Sequence, residues 1–197
     1  MAGYSEQLAH WCANLKFSDL PADVVASTKL RVLDVIGLAL AAVDMPTGKS
    51  VRAAANAMGT GNDARVVGTG ERLSAMQAAL ANGTMAQALE YDDTHNETVI
   101  HISSPMVATA LAVGEMVNAS GEQVLTAIAA GNELTCRIGL VAPQQFHKVG
   151  FHPSGVIGTF GTAFTAAKLL GMTPLQMRNA AGIAGSQASG ILACWED

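Results

Sequence analysis

Apolar residues recur at helical spacing along most of the chain, and polar punctuation marks where each helix starts. Leu8, Trp11, Cys12 and Leu15 fall at i, i+3, i+4 and i+7 behind Ser5, an N-cap candidate. Pro21 opens a second helix, which turns apolar on all sides after Val32 and is therefore expected to be central. Thr47 is read as the cap of a third, alanine-rich helix reaching Met58. A glycine-rich loop follows at Gly59–Asp63, and the Val66-Val67 pair is the one credible strand. A fourth helix runs from Ser74 to about Tyr91. Asn82-Gly83 inside it has alanine-rich flanks, which point to a kink or a close helix contact and not to a hairpin. Ser104-Pro105 starts a helix to about Val117, and Ser120 with Gln123 forms a capping box. Within that next helix, Glu133 and Arg137 stand at i, i+4 in the favourable order. The stretch from Pro143 to Pro153 is irregular. Gly155, Gly158 and Gly161 then recur on one face, where another backbone is expected to approach closely. Thr173 and Gln176 form a capping box for the last helix, and no fixed-period repeat is present.

Composition sharpens this into a soluble all-α reading. The 197 residues suit one domain or a large part of one. Half of them are hydrophobic and only 14% are charged, against a usual ~25%, which implies tight packing with much buried surface. The net charge of −5, without any run of Lys and Arg, argues against nucleic acid or an anionic membrane as partner. The first ten residues lack a signal-peptide pattern. The run from Val32 to Val43 is broken by Asp34 and is too short to span a bilayer. Three widely spaced cysteines, Cys12, Cys136 and Cys194, fit reduced thiols in a cytoplasmic protein; Cys136 and Cys194 have no neighbouring His and read as small apolar residues. Gly68-Thr69-Gly70 lacks the residues that would make it a phosphate loop.

Candidate chemistry is concentrated between Glu90 and His101. Those twelve positions hold four of the sixteen acidic residues and two of the five histidines, so polar groups can converge there between two helices. A solvated loop with Asp92 or Asp93 as a helix cap is the bland alternative. Asp92, Asp93 and His could also hold a divalent metal, and Asp92-Asp93 with Glu97 echoes the aspartate-rich motif of helical prenyl-diphosphate enzymes. That motif needs aromatic walls and a second acidic cluster, and the chain is only 5% aromatic with no second cluster. The favoured option is metal-free acid–base chemistry, with His101 moving a proton and nearby carboxylates tuning it. His152, just before a glycine-rich helix, is a second candidate, because a helix N-terminus suits a carboxylate ligand. His10, His95 and His147 read as surface histidines.

At these two motifs the chain resembles the MmgE/PrpD family, which includes 2-methylcitrate dehydratase, cis-aconitate decarboxylase and iminodisuccinate epimerase. The matching residues run in order through residues 33–37, 81–86, 88–95, His101 and 151–159; the run from Asn82 to Thr94 and the His152-Pro153 segment are the specific ones. The resemblance implies a helical domain joined to a smaller α+β lid, a homodimer, and a cofactor-free, metal-free site acting on a small polycarboxylate. It implies catalytic roles for Glu90, Thr94, His101, His152 and Asp93, and substrate contacts from Asp92, His152 and Ser154. Glu90 stands where the family commonly has Asp, and Ile102-Ser103 follow His101 in place of the frequent Pro-Ser or Pro-Gly. Residues 1–197 correspond to the amino-terminal portion of the helical domain, without the lid, and stop before the family's first active-site lysine. The expected function is a 2-methylcitrate dehydratase-like lyase. Epimerase or decarboxylase activity of the same family is one alternative, and a catalytically incomplete helical oligomerisation fragment is the other.

Overall fold

Short polar side chains start the helices only where they are free to serve their own backbone. In the computed structural model, which describes residues 3–195, Ser120 and Thr173 accept from the N–H three residues on and open α6 (Gly121–Gly139) and α9 (Pro174–Gln187) as expected. Ser74 and Gln77 form a third such box at α4 (Ala75–Gln87), each box contributing about 1 kcal/mol. The other three caps differ. α1 (Tyr4–Asn14) begins at Gly3, with Ser5 inside the helix, and α3 (Pro46–Ala57) begins with Pro46 in its first turn, ahead of Thr47. α5 (Ser103–Met116) begins before Ser104, because the hydroxyls of Ser103 and Ser104 are drawn to two aspartates elsewhere in the chain. The side chains of 194 and 195 lie outside the described residues, and with them the expectation for Cys194.

The class is all-α, as the pattern predicts, and no α+β lid is found among the described residues. The remaining helices are α2 (Ala22–Ala42), a single turn α7 (Gln145–Lys148) within the stretch read as irregular, and α8 (Pro153–Leu169). Two small antiparallel ribbons interrupt them: β1 (Ala64–Arg65) with β2 (Arg72–Leu73), and β3 (Thr94–His95) with β4 (Ile100–His101). The predicted strand thus sits just before the Val pair, and the second ribbon carries no strand signal in sequence. No helix among the described residues is long and apolar enough to cross a membrane.

The centre belongs to α5, not α2. α5 packs on α4, α6, α8 and α2, and it buries small residues such as Ala108, Ala110, Ala112 and Gly114. α2 buries one face, through Val35, Leu38, Ala39 and Ala42, while Leu30 and Leu33 stay about two-thirds exposed (66% and 67%). Its all-round apolar pattern therefore does not mean all-round burial, since neighbours cover only one side.

Small residues set the helix spacing. On α6 and α8, Gly131 and Thr135 face Thr165 and Gly161, and a Cβ on Gly131 would sit 3.2 Å from the Gly161 carbonyl oxygen. Gly83 of the Asn82-Gly83 pair lies against Ala108 of α5, which is the close helix contact expected there. Asn82 itself is buried, donates to the Arg65 carbonyl (3.0 Å) and accepts from the Val67 N–H (2.9 Å), so its amide completes the ladder edge of β1. Of the three α8 glycines, Gly155 meets the Ser189 backbone and Gly161 meets Thr135 and Met106, while Gly158 has nothing within 4 Å.

That difference is testable by denaturant unfolding. Gly161→Ala should destabilise the chain by roughly 1–3 kcal/mol through overpacking. Gly158→Ala should stabilise it by roughly 0.5–1 kcal/mol through reduced chain entropy. Equal effects at the two positions would show that close helix approach is not what selects glycine there.

Candidate active site

The turn after α4 and the β3–β4 ribbon deliver the chemistry-bearing residues. α4 ends at Gln87, short of the predicted Tyr91, and Glu90 takes a left-handed backbone (φ 50°) that redirects the chain. In the ribbon Thr94 pairs with His101 and His95 with Ile100. Side chains alternate along a strand, so Thr94 and His101 share one face and Ile100 is driven fully inside. Thr94 Oγ1 lies 3.4 Å from His101 Nδ1. The ribbon closes through Val99, a β-branched residue held at φ 55°; its N–H and that of Thr98 both donate to the His95 carbonyl.

Asp92 and Asp93 are neighbours in sequence but face different partners. The Asp92 carboxylate is inaccessible to solvent; Oδ2 accepts from the Ser104 hydroxyl at 2.6 Å, and Oδ1 lies 3.2 Å from His101 Nδ1, off the line of an ideal hydrogen bond. Asp93 accepts from the Ser103 N–H (3.0 Å) and hydroxyl (2.7 Å) and forms an ion pair with Arg31 of α2. The close approach of the Asp92 carboxylate to Nδ1 holds the His101 imidazole above its ordinary range; burial opposes this, and the charges of Asp92 and Glu90 reinforce it. His152 is pushed the other way, first by burial and then by the charge of His101.

A cleft of about 540 Å³ opens over this arrangement. Glu90, His101, His152 and Ser154 all line it, together with Ser104 at the start of α5 and Gly155 at the start of α8. Two helix N-termini therefore point their partial positive charge into one space. Ser154 Oγ accepts from the His101 N–H at 3.0 Å and ties the ribbon to α8. His152 precedes Pro153 at the α8 start, and its N–H donates to the Gly190 carbonyl. The bridge between Phe151 and Ile191 secures that strap. Thr94 reaches His101 from the exposed side, Asp92 stands behind His101, and Asp93 lies outside the cleft lining.

Several contributors are not among the site residues read from the sequence. Thr47 and Thr84 line the cleft, and Arg31 and Ser103 hold Asp93. Thr84, Gln87 and Ala88 follow i, i+3, i+4 spacing ahead of Glu90, and that shared face is the one pattern that could have exposed them. His10 is exposed as expected. His95 and His147 are half-buried, and His95 Nδ1 lies 2.8 Å from Thr98 Oγ1 inside the ribbon's turn. Burial pushes the Cys12 and Cys136 thiols up to about 11, so neither is a ready nucleophile. Among the described residues, no group of three or more His, Cys, Asp and Glu side chains is placed to hold a metal ion.

Comparison with known proteins identifies relatives along nearly the whole chain. The chain is 32% identical to cis-aconitate decarboxylase of Aspergillus terreus over 97% of its own length and 40% of that protein's. A cis-aconitate decarboxylase-like protein of Aspergillus oryzae is 31% identical over 95% of the chain, and the mouse cis-aconitate decarboxylase is 28% identical over 96%. The chain spans about 40% of the length of these relatives. The sequence profile described as the MmgE/PrpD N-terminal domain matches residues 6–196, nearly the whole chain, and the chain therefore belongs to the MmgE/PrpD family.

Proposed function

We propose that the cleft takes a small di- or tricarboxylate and that the protein is a lyase acting on it by cofactor-free acid–base chemistry. The observation that carries this is the pair of histidines facing one cleft, His101 with the enclosed Asp92 carboxylate 3.2 Å from its Nδ1 and His152 at the start of α8; their pKa values shift in opposite directions, His101 upward and His152 downward. His101 is the proton donor. Asp92 and Thr94 engage its Nδ1, which leaves Nε2 for the ligand. His152 stays neutral and, with the α8 N-terminus and Ser154, binds or polarises a substrate carboxylate. Glu90 and Thr94 position the substrate or His101.

The relatives' activity favours decarboxylation of a compound such as cis-aconitate. The carbon–carboxylate bond breaks, carbon dioxide leaves, and the electron pair stays on the substrate. His101 then delivers the proton that quenches it and is reprotonated from water. Dehydration of 2-methylcitrate would need a base to take the C–H proton while the same acid protonates the departing hydroxide, and epimerisation would take a proton from carbon and return one on the opposite face.

A second reading, that residues 1–197 alone are catalytically incomplete, is favoured by the charge of the cleft. Its lining offers two histidines and the negative Glu90 against a ligand carrying two or three carboxylates. An assay of this chain beside the complete gene product separates the two readings.

In the complete enzyme, His101→Ala should lower kcat/KM for cis-aconitate by about 10²–10⁴-fold with unchanged circular dichroism; retained carbon dioxide release would remove His101 from the reaction. Activity should fall as pH rises through the raised His101 pKa, and fall again at acid pH as His152 becomes charged. His101 binds its proton more tightly folded than unfolded. Its contribution to stability is thus complete below its ordinary value of about 6.5 and is lost as pH rises through the raised one. Asp92→Asn should return the His101 titration, followed by imidazole NMR, toward that ordinary value and remove this pH dependence.

A further inference from the structure

Arg31 sits on α2, a helix whose other described neighbours are core packing, and its side chain lines a separate outer cleft of about 560 Å³ beside His95, Asn132 and Cys136. Its guanidinium nonetheless reaches through to the residues directly behind the candidate active site. Nη1 contacts both the Asp93 carboxylate and the Ser103 hydroxyl, the latter at 3.2 Å. Ser103 Oγ is fully enclosed. It donates to Asp93, accepts from Arg31, and has the Asn132 amide at 3.5 Å.

We infer that Arg31 and Ser103 are positioning residues for His101: by fixing Asp93 against the first turn of α5 they fix its neighbour Asp92, and Asp92 orients the imidazole. Three features support this. First, α5 has no side-chain cap of its own at Ile102, and Asp93 Oδ1 takes that place by accepting the Ser103 N–H at 3.0 Å. Second, Asp93–Ser103 and Asp92–Ser104 are consecutive rungs between the same two segments. Movement of one carboxylate therefore drags the other. Third, adjacent carboxylates repel, and each here has its own partner, the Arg31 guanidinium for Asp93 and the His101 imidazole for Asp92. Without Arg31, Asp93 would lack its counter-charge, and the allotment of Asp92 to His101 would be contested.

The inference rests on His101 as the proton carrier, but its test does not depend on turnover. The groups facing His101 are Asp92, Glu90 and His152, with Thr94 on its exposed side. In ¹⁵N-histidine-labelled intact protein, the His101 titration midpoint is followed by NMR, with exposed His10 as the internal reference. Ser103→Ala changes no charge and should shift the His101 midpoint downward. Arg31→Gln should do the same, and Arg31→Lys should restore part of the shift.

The sign is decisive. Simple removal of a nearby cation would raise the His101 midpoint, whereas loss of positioning lowers it. An unchanged midpoint in Ser103→Ala, or a raised one in Arg31→Gln, overturns the inference. Ser103→Ala removes a single oxygen and keeps the test valid if the arginine variant does not fold. Asp92→Asn measured alongside separates the two readings: if it too leaves His101 unmoved, the Asp92–His101 reading has failed. If it alone lowers the midpoint, only the Arg31 brace has failed.

Discussion

Everything in this protein hangs on how closely α5, α6 and α8 approach one another. Gly131, Thr135, Gly161 and Thr165 make the α6–α8 contact nearly a backbone contact, and Gly161 also meets Met106 of α5. Dispersion and exclusion of water scale with that intimacy, and larger side chains would hold the helices apart. The consequence reaches the cleft. With α5 and α8 held this tightly, their N-termini meet under the β3–β4 ribbon, and Ser104 and Ser154 stand on either side of His101.

The polar arrangement follows from burying carboxylates at such a junction. A buried carboxylate is tolerated only when donors surround it and a cation faces it. Asp92 has Ser104 and His101, and Asp93 has Ser103 and Arg31. The same closeness that faces Asp92 with an imidazole raises the His101 pKa, so the structural arrangement and the shift have one physical cause. His152 lies across the cleft, where burial and the charge of His101 disfavour a second cation.

The residues that frame the cleft were legible to different degrees. Glu90 and His101 stand out as part of a polar cluster between apolar helices, His152 as the residue before a glycine-rich helix and Ser154 through the family resemblance, and all four line the cleft. Asp92 and Asp93 stood out equally, yet one lies behind His101 and the other turns to α2. Nothing in an Asp-Asp pair says which carboxylate looks which way. The Ser104-Pro105 pattern predicts a helix cap at Ser104; in the fold its hydroxyl donates to the buried Asp92 carboxylate, a charge-assisted hydrogen bond, and the helix starts at Ser103.

The sequence by itself determined the helical class, the capping boxes at Ser120 and Thr173, and the polar cluster from Glu90 to His101. These are local properties: periodicity and reach to one's own backbone are written within a few residues. The tertiary structure alone decided which face of α2 is buried and where β3 and β4 pair. It also decided that Arg31 meets Ser103 from 72 residues away and that His101 meets Ser154 from 53. Those outcomes depend on which surfaces the close helix packing brings together. A side chain of given chemistry takes the partner the fold puts within reach, and the identity of that partner is not written beside it in the chain.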